Sequence, residues 1–329
     1  MAESLINSIA RLRVIEKRLL TQEFVSRLAQ APSYEDALRL ARDAGFGASL
    51  QGGSPDELEG LVSAHLDETY QIVGELMPER LAFVTRIFRM RHDLTNIKLL
   101  YKLRLLGAKP DAYELAPGGV FEGEALKEAV AKGDYSMLPK LLADTLEELD
   151  VKTYKNPDAR LVSGALDSAY FELGLSSPNA FVREYFSALA DFTNLIAAIR
   201  GMLPEMCLPC GEYKKDTLLA VAKAAKEAPE TVPAILKTPF DGSPLKAAAR
   251  AGFEEFVKTG SAASLEKARD EYLLTLAAKG KSDIDSPAPI VGFMLARERE
   301  AEVVRLILTV KRSGLPMSAV EERSVKLYG

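Results

Sequence analysis

Any chemistry in this chain of 329 residues has to come from two cysteines, two histidines and its many carboxylates. Cys207 and Cys210 form a C-x-x-C in "CLPC". In a redox dithiol the first thiol sits at a helix N-terminus after a strand, where the dipole lowers its pKa. Here the pair follows a helical stretch and lies in a proline-broken linker, with no βαβ pattern around it. A structural zinc needs a second ligand pair, and His65 and His92 lie far away in the sequence. The reading is two linker cysteines, with thiol–disulfide exchange as the rival. "GKS" at Gly280–Ser282 looks like the tail of a phosphate-binding loop. Thr275 stands where the wrapping glycine belongs, and the preceding segment reads as helix. "GFGASLQGG" (45–53) lacks the dinucleotide spacing and reads as a helix terminator and loop. His65 and His92 read as surface or satisfied polar positions, and no nucleophile–base–acid set can be assembled with them. The chain is expected to be no enzyme, with no cofactor and no metal.

The polar residues that do recur belong to a repeat. "LVSAHLDETY" from Leu61 returns as "LVSGALDSAY" from Leu161, six of ten residues being identical, one hundred positions on (161 − 61). An apolar stripe Phe83, Ile87, Met90, Leu94, Ile97, Tyr101 has the spacing of one helix face. Shifted by 98 it becomes Phe181, Tyr185, Ala188, Phe192, Leu195, Ile199. Shifted by 207 it becomes Ile290, Met294, Arg297, Ala301, Val304, Leu308, where five of six are apolar. Asp93 and Asn96 match Asp191 and Asn194, and the third copy has Glu300, with Val303 in place of Asn. Lys98 and Arg305 accompany them, and Gly107 aligns with Gly314. Spacing i, i+3 puts the acid and the amide on one face. These seven positions (Asp93, Asn96, Lys98, Asp191, Asn194, Glu300, Arg305) read as a hydrogen-bonded packing tie or as a polar face for a partner, the tie being preferred.

The elements that carry these positions read as helices almost throughout. Ala, Leu, Glu, Lys and Arg dominate and no sustained period-two pattern appears. Ser33 with Asp36, Ser54 with Pro55 and Glu57, and Ser177 or Asn179 mark helix starts. The fold class is therefore all-α, in three tandem helical repeat units: 1–112, 113–206 and 207–329, bounded by "GAKPDAYELAPGG" and "GMLPEMCLPCGEY". Net charge is −5, which argues against a nucleic-acid binder. Two cysteines point to a reducing compartment. No secretory signal and no membrane span are expected.

The last segment, "PAPIVGFMLAREREAEVVRLILTVKRSGLPMSAVEERSVKLYG", resembles the closing helices of the C subunits of V-type (A/V-type) ATP synthases, the counterparts of the eukaryotic V-ATPase d subunit. Glu298, Glu300, Arg305 and Lys311–Pro316 carry the likeness, with "ARLRVIEKRLL" and "RHDLTNIKLLYKLRLLG" earlier in the chain. The sequence departs from that family at Val303, where Asn is expected, and in its "CLPC" linker. The resemblance implies a non-catalytic central-stalk adaptor whose three units surround a pseudo-threefold axis as a funnel. It implies partners in the D and F components of the central shaft and in the c-type (K) membrane rotor ring, and a peripheral place on the cytoplasmic face. A generic helical scaffold is the alternative, although its usual periods of about 34 to 47 residues are shorter.

Overall fold

The computed structural model describes residues 5–47, 57–155, 158–201, 208, 211, 213–236, 243–317 and 327. The described residues are all-helical, without a strand. Cys207, Cys210 and the Ser54–Pro55 helix start lie outside them. The chain forms two compact units, one from residues 83–231 and one from 1–82 with 232–329.

The unit of residues 83–231 holds α5 (Ala82–Leu105, all but its first residue), α6 (Gly123–Lys132), α7 (Lys140–Thr153), α8 (Ala159–Leu175), α9 (Ala180–Ile199) and α10 (Lys215–Glu227). Helices α7, α8, α9 and α10 pack each on the next. The stripe on α5 and its counterpart on α9 are buried apart from half-buried Phe83, Phe181 and Ile199. Phe88 of α5 meets Tyr185 of α9 edge-on, centroids 4.9 Å apart, and Tyr170 of α8 meets Phe186 the same way at 5.1 Å. Gly174 makes that last approach possible, because a β-carbon there would stand 2.1 Å from the Phe186 ring. Asn179 caps α9 by accepting from the Val182 amide.

The discontinuous unit holds α1 (Leu5–Ile15), α2 (Gln22–Gln30), α3 (Tyr34–Asp43), α4 (Glu57–Leu76), one-turn α11 (Val232–Ile235), α12 (Pro244–Thr259), α13 (Ala263–Lys279) and α14 (Ala288–Arg312). Helix α14 is its axis, with α1, α2, α3, α4 and α13 against it. Every residue from Pro287 to Glu298 is buried, the signature of a helix covered on all sides. Ser33 caps α3 through the Asp36 amide. Gly280–Ser282 is a 3-10 turn continuing α13, so no strand precedes it and no phosphate loop exists there. No described helix is long and apolar enough to cross a membrane.

Candidate functional site

Each of the three long helices that carry the repeated stripe, α5, α9 and α14, ends on a left-handed glycine: Gly107 (φ 64°), Gly201 (φ 71°) and Gly314 (φ 64°). Such a glycine closes the last helical turn and lets the chain reverse. The distance from the repeated acid to this cap is 14 residues in α5 (107 − 93) and in α14 (314 − 300), but 10 in α9 (201 − 191). Helix α9 is therefore about one turn short.

After its cap the chain folds back along α5 and is caught there. The Asp93 carboxylate, fully buried, accepts from the amides of Val120 (2.7 Å) and Phe121 (3.2 Å). The Asn96 amide pairs with both backbone groups of Ala116: Nδ2 donates to the carbonyl at 2.9 Å and Oδ1 accepts from the N–H at 2.8 Å. Arg89 donates to the carbonyls of Gly118 and Gly119. Burial raises the Asp93 pKa, opposed by the two amides and by nearby Arg89 and His92. The same device recurs on α9. Asp191 accepts from the Tyr213 amide at 3.1 Å, and Asn194 pairs with both backbone groups of Leu208, at 3.2 and 2.8 Å. The residues caught are offset by one number: 92 from Ala116 to Leu208 and from Phe121 to Tyr213.

The third helix catches a different piece of chain. Glu300 of α14, 2% exposed, accepts from the amide of Leu20, 280 residues earlier. Its other oxygen takes Arg297 Nη1 at 3.3 Å. Arg297 also donates to Thr69 Oγ1 at 3.2 Å and to Glu68 at 3.0 Å, and Tyr70 donates to Glu298 at 2.7 Å. His65 is fully buried, stacked on Phe46 at 3.8 Å between centroids. Its Nε2 contacts the Arg297 carbonyl at 3.2 Å and lies 3.5 Å from Glu300, while Nδ1 has no partner among the described residues. Nε2 therefore carries the hydrogen. Burial, reinforced by Arg297, lowers the His65 pKa to about 3; burial raises that of Glu300 to about 7 against the pull of Arg297 and the Leu20 amide.

The matching family model, described as ATP synthase (C/AC39) subunit, covers residues 8–323. The chain belongs to that family. Three similar relatives are the C subunits of the V-type sodium ATPase of Enterococcus hirae, of the A-type ATP synthase of Pyrococcus abyssi and of the V-type ATP synthase of Thermus thermophilus. They are 22%, 23% and 28% identical to it, over 98%, 95% and 99% of this chain and 98%, 88% and 99% of their own.

Within this C/AC39 family member the seven repeat positions do not converge on one pocket. Five of them form the three ties. Lys98 pairs instead with Asp167 of α8, and Arg305 with Glu59 of α4 at 2.6 Å, on half-exposed surfaces. Arg297, Glu68, Thr69, Tyr70 and Glu298 were not singled out as site residues from the sequence, and neither were Gly119 and Gly211. A β-carbon at Gly119 would stand 2.1 Å from Asp93 Oδ1, and one at Gly211 1.8 Å from Asp191 Oδ1. Their common offset of 92 (211 − 119) was the available signal. Gly119→Ala and Gly211→Ala are each expected to lower stability by about 1–3 kcal/mol, the cost of stripping a buried acceptor from its amides. Urea unfolding measures this; a midpoint within error of the parent would show that the carboxylates can move aside.

Proposed function

We propose that this chain is the non-catalytic central-stalk subunit of a V/A-type rotary ATP synthase or ATPase. It joins a D–F shaft to a c-type membrane rotor ring and transmits torque between them, resting peripherally on the cytoplasmic face. The observation that carries the reading is the family match from residue 8 to residue 323, which takes in all three long helices. Three repeat units, 1–112, 113–206 and 207–329, would surround a pseudo-threefold axis as a funnel. The ties support this arrangement: two long helices hold the segment that follows them, and the third holds Leu20, as the last member of a closed cycle would hold the first. A torque element also needs backbone that does not slip, and buried amide–carboxylate ties supply it.

The test is co-purification of the full chain with a D–F complex and, separately, with detergent-solubilised rotor ring. Recovery of both is expected. Failure to recover either one ends the proposal.

A further inference from the structure

A cavity of about 500 Å³ opens in the unit of residues 83–231, beside the segment that Asp93 holds. Phe83, Ile87 and Met90 of α5 form one wall, Val120 and Phe121 a second, and Met137, Leu138 and Pro139 ahead of α7 a third. Leu173 and the α8–α9 turn close it. Among the described residues Arg86 is the one charged side chain lining it. It is exposed, and among the described residues it has no hydrogen bond or ion pair. Phe83, Phe121, Met137 and Leu173 are only half-buried, so apolar surface is left facing solvent. A concave, largely apolar cleft of this size that carries a single charged group has the usual form of a binding site.

The walls are held in advance. Asp93 fixes the Val120–Phe121 segment through two amides, and Arg183 fixes the α8–α9 turn through the Ser177 carbonyl at 2.7 Å. A preformed pocket spares the ordering cost of binding. Two methionines, Met90 and Met137, let it adapt to the shape that enters.

We propose that this pocket receives an apolar segment of a partner protein that also carries a carboxylate. The apolar walls take the side chains, and the carboxylate meets Arg86, whose guanidinium fork can donate two parallel N–H bonds to its oxygens. A basic or neutral-polar segment would leave that cation unmatched, so charge complementarity selects the partner. The inference rests on the assembly role proposed above.

The probe is 8-anilinonaphthalene-1-sulfonate, an aromatic body with one anion. It is expected to bind the isolated full chain at a saturable site. Arg86→Glu should weaken that site at least tenfold, and Arg86→Lys should retain most of it. Arg86 is exposed, so both variants should keep the parent's circular dichroism. Equal binding by the parent and Arg86→Glu overturns the pocket. The second arm repeats the titration on the complex with the D–F shaft and on the complex with the ring. Loss of the site in one of them is expected, because a partner segment fills it. A site still open in both complexes overturns the inference alone. If neither complex forms, the function proposed above falls and the occupant falls with it.

Discussion

Arg297→Met is expected to lower stability by about 3–5 kcal/mol at pH 8, the cost of removing one partner of a buried ion pair, and by clearly less at pH 5. Arg297 is 8% exposed and ties Glu300, Glu68 and Thr69 together. Without it Glu300 keeps only the Leu20 amide and sits against a neutral imidazole. Burial already holds Glu300 near pKa 7 with Arg297 pulling down; in the variant that pull is gone and the pKa rises further. A carboxyl raised in the folded state contributes stability that is complete below its unfolded pKa and is lost as pH rises through the folded value. At pH 5 the variant therefore buries a neutral acid, and only hydrogen bonds are missing, at about 1 kcal/mol each. Urea unfolding at both pH values decides the point. An equal loss at pH 5 and pH 8 would mean that Arg297 stabilises through packing and hydrogen bonds and not through its charge on Glu300.

The helices themselves were legible, because their signals are local. Ser33 and Asn179 cap where the sequence placed caps, and the three stripes are buried along nearly their whole length. The third stripe even carried a mark of its network: Arg297 was its one charged member, and it is buried in the discontinuous unit. The acids and amides were also visible, as recurrence. What they hold was not, because the other half of each tie is backbone, and an N–H carries no residue identity. Only Gly119 and Gly211, which clear room for the carboxylates, leave a trace. His65 was open to being read as a surface residue since its burial is decided by Phe46 and by α14, the latter more than two hundred residues away.

The departure at Val303 has a structural counterpart. On α5 and α9 the amide three residues beyond the acid grips both groups of one peptide unit. On α14 that position is a buried valine, 3% exposed, and the catch on Leu20 rests on Glu300 with its Arg297 network. A tie made with one amide and an ion network responds to pH, because the members of the network titrate.

That response is expected to appear as two opposed slopes. His65 is neutral in the fold with a pKa of about 3, against about 6.5 unfolded. A base lowered in the folded state contributes stability that is present above the unfolded value and is lost as pH falls towards the folded one. Over the interval from about pH 6.5 to 3 this is worth at most roughly 5 kcal/mol. Glu300 works the other way, adding up to about 3 kcal/mol as pH falls from about 7 to its unfolded value near 4.5. Between about pH 6.5 and 4.5 the two largely cancel; below that only the histidine is left, and stability falls. His65→Gln keeps a donor for the Arg297 carbonyl and does not titrate, so its stability relative to the parent should improve steadily below pH 6.5. Glu300→Gln should instead improve relative to the parent as pH rises from 4.5 to 7. Urea midpoints of the three proteins from pH 3 to 8, taken as differences, cancel the carboxylates they share. Parallel curves for the parent and His65→Gln would mean that the imidazole takes up its proton at the same pH folded and unfolded, and the stacked, partnerless Nδ1 against Phe46 would then need another explanation.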